Sequence, residues 1–166
     1  MIEMSQMILI AGAGQNVGKT TLACRIIQQL CKEKETTAIK ISGHHHQLTN
    51  KQRVIFQTHG LIVAEEQDRS TNKDSSLFLQ HGAAKSFFIQ VNDQDLKVLS
   101  AWIQQNISGW VVCESAALGQ VVMPGKAVFV KGSNGKIAPW KFSYQEVKFN
   151  GKDFDPTVDE LLNGLK

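Results

Sequence analysis

The sequence predicts an α/β fold in which a mostly parallel central sheet is flanked by helices, and three observations carry that expectation. Apolar runs of strand length alternate with amphipathic stretches of helical period along the chain. The first run, Ile8 to Ile10, breaks into glycines that lead directly into a helix. A later run, Trp110 to Cys113, is mostly apolar and ends in an acid, Glu114, as a strand buried on both faces does.

The elements follow in order. Strand one covers about Gln6 to Ala11. A helix from Gly18 to about Lys34 carries Leu22, Ile26, Ile27 and Leu30 on one stripe. Thr36 to Ser42 is a short strand, followed by a histidine-rich loop. Arg53 to Phe56 and Leu61 to Ala64 form a hairpin turning near Thr58-His59-Gly60. A short helix runs from Lys73 to His81, ended by Gly82, and Ala84 to Val91 is the next strand. Asn92 caps a helix whose Leu96, Leu99, Trp102, Ile103 and Ile107 face inward. Ala127 to Val130 is a further strand, and the tail is β-like from Ile137 to Phe149. A last helix begins at Asp155-Pro156, a cap followed by proline in the first turn.

Bulk properties bound the function. The 166 residues amount to a single domain, 1–166, with an ordinary 42% hydrophobic and 20% charged content. The net charge of +3 is spread without a basic stripe, so no nucleic-acid partner is expected. No apolar run approaches the roughly 20 residues that cross a bilayer, and the N-terminus lacks the regions of a signal peptide. Three cysteines, Cys24, Cys31 and Cys113, without Cys-x-x-Cys spacing, argue against disulfides and structural zinc and for a reducing, cytoplasmic setting. Cys24 and Cys31, seven apart on one helix, read as core.

The chemistry concentrates at Gly12-Ala-Gly-Gln-Asn-Val-Gly-Lys-Thr-Thr21. Strand, glycine-rich turn, then Gly-Lys-Thr at a helix start is the order of a phosphate-binding P-loop, and it makes a three-layer P-loop NTPase the expected architecture. Backbone N–H groups of Gly14, Gln15, Asn16, Val17, Gly18, Lys19, Thr20 and Thr21 can gather as an anion nest at the positive end of the helix. Lys19 supplies a mobile charge for the β/γ-phosphates, and the Thr20 hydroxyl can ligate Mg²⁺. A chance match to such a pattern in a chain of this length is on the order of one per cent. The first pattern position is Ala13 rather than glycine, which serves if its φ stays negative.

Other candidates lie at strand ends, where open α/β sheets bind ligands. Glu114 is expected to position Mg²⁺ or its water beside Thr20. His44, His45 and His46 have three readings: contacts to the phosphate edge or to a partner, a metal site, or a solvated loop. Asp74 reads first as a helix cap and second as a contact to Mg²⁺-bound water or substrate. Lys131 to Asn134 lies where a base could be touched, but no guanine-reading Asn-Lys-x-Asp follows Glu114, so GTP and ATP both stay open.

Gly18 to Leu22, Lys40 with His44-His45-His46, Lys73-Asp74-Ser75 followed by Gly82-Ala83, and Glu114 together resemble the B-type proteins of molybdopterin-guanine dinucleotide biosynthesis (MobB), over roughly residues 7–131. The chain departs from that pattern in placing its histidines further from Lys40, in Leu77 and Phe78 where the family has Arg-His, and in Glu114-Ser115-Ala116 for Glu-Gly-Phe. The resemblance implies a GTP-binding, feebly hydrolysing homodimer that assists a nucleotidyltransferase partner in molybdenum-cofactor work. Two alternatives stand beside it: an ATP-dependent kinase or ligase for a small molecule, and a metallochaperone working through the histidines. Arg53 and Arg69 are candidates for a catalytic arginine.

Overall fold

Alternation along β1 (Ile2–Gly12) sets the architecture. Met7, Leu9 and Ala11 enter one hydrophobic cluster, Ile8 and Ile10 the other, and all five are buried. A strand apolar on both faces must be covered on both, so β1 belongs at the centre of a sheet. The computed structural model describes residues 1–165. After β1 come α1 (Lys19–Leu30), β2 (Thr36–Ser42), β3 (Gln52–Gln57), β4 (Leu61–Glu66), α2 (Asp74–Gln80) and β5 (Lys85–Val91). The chain continues through α3 (Leu96–Asn106), β6 (Trp110–Glu114), β7 (Val122–Val130), β8 (Gln145–Phe149), β9 (Phe154–Asp155) and α4 (Val158–Leu162).

The strands form one nine-stranded sheet in the order β3-β4-β5-β2-β6-β1-β7-β8-β9. From β5 to β8 the neighbours are parallel. The pairs β3–β4, β4–β5 and β8–β9 are antiparallel. On one face Leu22, Ile26 and Ile27 of α1, Phe78 of α2 and Leu161 of α4 pack on Ile8, Ile10 and Val112. On the other, Leu96, Leu99, Trp102 and Ile103 of α3 meet Leu9, Ile39 and Phe87. The rest of that second face is closed by an irregular strap, Ala138 to Tyr144. Its Trp140 stacks on Phe142 at 5.5 Å, meets Tyr144 edge-on and donates its indole N–H to the Ala116 carbonyl at 2.9 Å.

These features correct the expected architecture. The α/β class fits, but a three-layer P-loop NTPase with a mostly parallel sheet between helical layers does not. The sheet is mixed, with antiparallel pairing at both edges, and nine strands stand against four helices among the described residues. One face has a single helix plus aromatic side chains where a helical layer was expected. The cause at one edge is the turn that joins β3 to β4, closed by Thr58 N–H to Leu61 C=O at 2.8 Å; so short a connection permits only antiparallel pairing.

Smaller expectations also shift. The tail is a strand only from Gln145 to Phe149. The last helix starts at Val158, because the Thr157 hydroxyl, not Asp155, accepts from the Glu160 N–H at 3.2 Å. The Asn92 side chain makes no capping bond; a 3₁₀ turn, Asp93–Asp95, leads into α3. Cys24 is buried, but Cys31 sits at the end of α1 and is exposed. Among the described residues no helix is long and apolar enough to cross a membrane.

The strap makes the aromatic cover testable. Trp140→Ala is expected to lower stability by about 3–5 kcal/mol in urea unfolding. Trp140→Phe keeps a ring but loses the bond to the Ala116 carbonyl, which is on an exposed residue, and should cost about 0.5–1.5 kcal/mol.

Candidate functional site

The loop between β1 and α1 is shaped by three backbone constraints. Gly14 and Gly18 hold φ of 148° and 107°, conformations that side chains disfavour, and Asn16 takes φ of 60°. Gly12 has no room for a Cβ, which would come within 2.9 Å of the Val17 and Lys19 side chains. Ala13 keeps a negative φ and donates its N–H to the Val130 carbonyl at 3.0 Å, so alanine fits there. From the far side, Asn134 Nδ2 donates to the Ala13 carbonyl at 2.6 Å and Phe149 packs against Gly18. Asn134 is thus spent on the loop, in the segment expected to read a base.

The loop leaves its own amides unspent. Among the described residues, the N–H groups from Gly14 through Thr21 donate to no backbone or side-chain acceptor. The Lys19 ammonium arches back over them to the Gly14 carbonyl at 2.9 Å. The first helical turn adds its own unpartnered donors at the same place. Such an array favours a polyanion.

Across the sheet, strand pleating collects the acids. Lys40 of β2 is paired in register with Glu114 of β6, and Ile10 of β1 with Glu114 from the other side. Lys40 and Glu114 continue the Ala38 and Val112 rows, which face α1, and so lie beneath Thr20. The Thr20 hydroxyl donates to Glu114 Oε2 at 3.2 Å. Lys40 Nζ lies 2.6 Å from Glu114 Oε1 and 2.9 Å from Asp74 Oδ2. Glu114 is only 4% exposed, and that ammonium offsets the cost of burying its carboxylate. Burial opposes the charge on Lys40, but the Glu114 carboxylate, reinforced by Asp74, outweighs it and holds the lysine above its ordinary value. One ammonium between two carboxylates leaves a local excess of negative charge beside a hydroxyl. Thr20, Glu114 and Asp74 could hold a hard divalent cation in its place.

Two cavities meet at Lys40. A small one of about 120 Å³ lies over the loop, bordered by Gly12, Lys19, Lys40, Glu114 and Ser115. A cleft of about 410 Å³ opens on the other side toward His46, Gln52 and Phe88.

The structure therefore brings together Lys19, Thr20, Glu114 and Asp74. Asp74 is the first helical residue of α2 and makes no cap bond; its carboxylate is turned to Lys40, which corrects the capping role. His46 borders the cleft, whereas the exposed His44 and His45 are not part of either cavity lining. Among the described residues no trio of His, Cys, Asp or Glu side chains is grouped to hold a metal. Arg53 pairs with Glu65 at the β3 edge and Arg69 donates to the Leu79 carbonyl; neither borders the loop.

Three participants were not singled out for a role from sequence. Lys40 had a visible signal, a charged residue in the row Ala38, Lys40, Ser42 of a buried strand, where an unpaired ammonium would be costly. Glu66, 4% exposed, accepts from Gln52 at 3.2 Å, Ser75 at 2.6 Å and the Asp68 N–H. Gln90, 2% exposed, bonds His46 twice, accepting from its N–H at 3.1 Å and donating to its carbonyl at 2.8 Å. Neither has a local sequence signature.

Two outcomes follow. Lys40→Met leaves Glu114 buried and unpaired and should cost about 3–5 kcal/mol at neutral pH. The stabilisation from Lys40 is present below the unfolded lysine value, about 10.4, and is lost as pH rises through its higher folded value, so the gap between wild type and variant should narrow in alkaline unfolding curves. Burial, with Asp74 and Glu114 adding to it, pushes the Cys24 thiol up to about 12, and burial raises Cys113 too. A thiol reagent on the native protein should therefore react rapidly with Cys31 alone, and Cys31→Ser should abolish that phase.

No protein-family model, curated protein or solved structure matches the chain.

Proposed function

We propose that this chain binds a Mg²⁺-nucleoside triphosphate, GTP or ATP, at the loop Gly14 to Thr21 and hydrolyses it slowly. The observation that carries the reading is the run of unspent loop amides beneath the Lys19 ammonium. Phosphate oxygens are the ligands that such a nest and helix start satisfy. Thr20 and Glu114 supply the oxygens for Mg²⁺, with Asp74 within reach of the same Lys40 ammonium. A Mg²⁺ held there would offset the carboxylate excess that Lys40 balances in the structure.

Slow turnover follows from the arginines. Arg25 lies over Phe149 and Phe154 and near Asp153, and Arg53 and Arg69 are engaged elsewhere. A transition-state arginine would have to arrive from a partner, with a gain of roughly 10³ to 10⁵ in rate. That suits an adaptor that assists a nucleotidyltransferase, as the MobB resemblance implies, in a homodimer. A second reading, an ATP-dependent kinase or ligase, is favoured by the cleft that opens at Lys40 next to the loop.

A thermal-shift comparison of GTP, ATP and their diphosphates, with and without Mg²⁺, tests the proposal. A nucleotide at about 100 times its Kd should stabilise by about 2.7 kcal/mol, or roughly 5–10 °C for a domain of this size. Lys19→Ala should abolish most of the shift. No shift with any nucleotide overturns the reading, and rapid phosphate release by the isolated protein overturns the adaptor role.

A further inference from the structure

We propose that the cleft beyond Lys40 is a second ligand site, for a small organic acid. The inference rests on the nucleotide reading above, because Mg²⁺ at Thr20 and Glu114 is what frees Lys40 to serve it.

The volume, about 410 Å³, is in the range of small-molecule pockets. Its wall is fixed by buried polar side chains that have no other evident use. Glu66 holds Gln52 and Ser75, both of which border the cleft, and Gln90 clamps the backbone of His46 from both sides. Burying a carboxylate with no cation and an amide in a central strand costs stability, and what both spend it on is the order of the cleft wall.

The chemistry of the lining sets the class of ligand. Lys40 and Lys73 present ammonium groups, and the carboxylate at the rim, Asp74, is engaged by Lys40. An anionic group is therefore favoured. The Ser75 hydroxyl donates a hydrogen bond to Glu66 at 2.6 Å and is buried, so it braces the wall and is not itself offered to the ligand. Phe88, half-buried with its ring 6.2 Å from that of His46, offers an apolar wall for a planar or aliphatic body.

Lys40 couples this site to the loop. In the structure its ammonium is held by Glu114 and Asp74 together. Mg²⁺ taking Glu114 leaves the ammonium free for the acid at the point where the two cavities meet. Each ligand then strengthens the other by the same factor.

The test uses 3-fluoro-4-hydroxybenzoate as probe and its uncharged amide as control, observed by ¹⁹F line broadening. Titrations are run on the free protein and on the protein saturated with Mg²⁺ and the β,γ-imido analogue of the preferred nucleotide. The acid should bind about 5-fold or more tighter in the presence of the Mg²⁺-nucleotide analogue, and the amide should not. Both Phe88→Ala and Lys73→Met should weaken the acid about 5-fold or more in the Mg²⁺-nucleotide state; Lys73 is exposed, so that variant is spared a folding defect. The nucleotide thermal shift, recorded on each protein, reads the loop separately. Equal binding of acid and amide, equal binding with and without Mg²⁺-nucleotide, or indifference to both substitutions overturns the second site while leaving the nucleotide site standing. Absence of any nucleotide shift removes both.

Discussion

A single ammonium group, that of Lys40, sits between Glu114 and Asp74 and ties three elements of the ligand edge together. It is there because pleating gives it no alternative. The residue two before it, Ala38, is buried under α1, and the same face must therefore receive Lys40 one pleat further on. Glu114 arrives on that face by the same rule from the adjacent strand. A buried acid and a partly buried base in register satisfy each other, and the carboxylate of Asp74 then draws the start of α2 onto the pair. Removing the cation would leave two negative charges facing each other in a region of low polarisability. The Mg²⁺ proposed above would compete with Lys40 for the same carboxylates.

The departure from regular layering shapes the cleft. Had β3 and β4 been replaced by a helix crossing over the sheet, neither Gln52 nor Glu66 would reach the wall of the cleft. The antiparallel hairpin brings both beside Ser75 of α2. It also places β4 against β5, whose Gln90 fixes His46. The edge that breaks the parallel pattern is thus the edge that encloses the cleft. On the opposite face, aromatic packing by Trp140, Phe142 and Tyr144 supplies the cover that a helix would otherwise give. Large rings bury enough apolar surface per residue to do this from an irregular backbone.

The loop between β1 and α1 is held from outside as much as by its own glycines. Asn134 and Gly132 of the β7–β8 connection and Phe149 of β8 lean on it. These contacts hold the loop without taking up its N–H groups, so little reordering would be needed for the proposed anion to bind. Among the described residues, Lys40 borders both the cavity over the loop and the cleft.

The sequence by itself determined the local parts. Ile8 to Ile10 running into glycines, the Gly-Lys-Thr start of α1, the period of Leu22, Ile26, Ile27 and Leu30, and the Arg53 to Ala64 hairpin are all written within a few residues. They depend on backbone sterics and on periodicity, which are local. Only the tertiary structure decided the order and sense of the strands, and so replaced the expected helical layers with a mixed sheet and an aromatic strap. It alone turned Asp74 from a cap into the partner of Lys40, exposed Cys31, and gave Glu66 and Gln90 their work. Each of those outcomes depends on which distant group fills the space or neutralises the charge opposite, and the local sequence does not encode that.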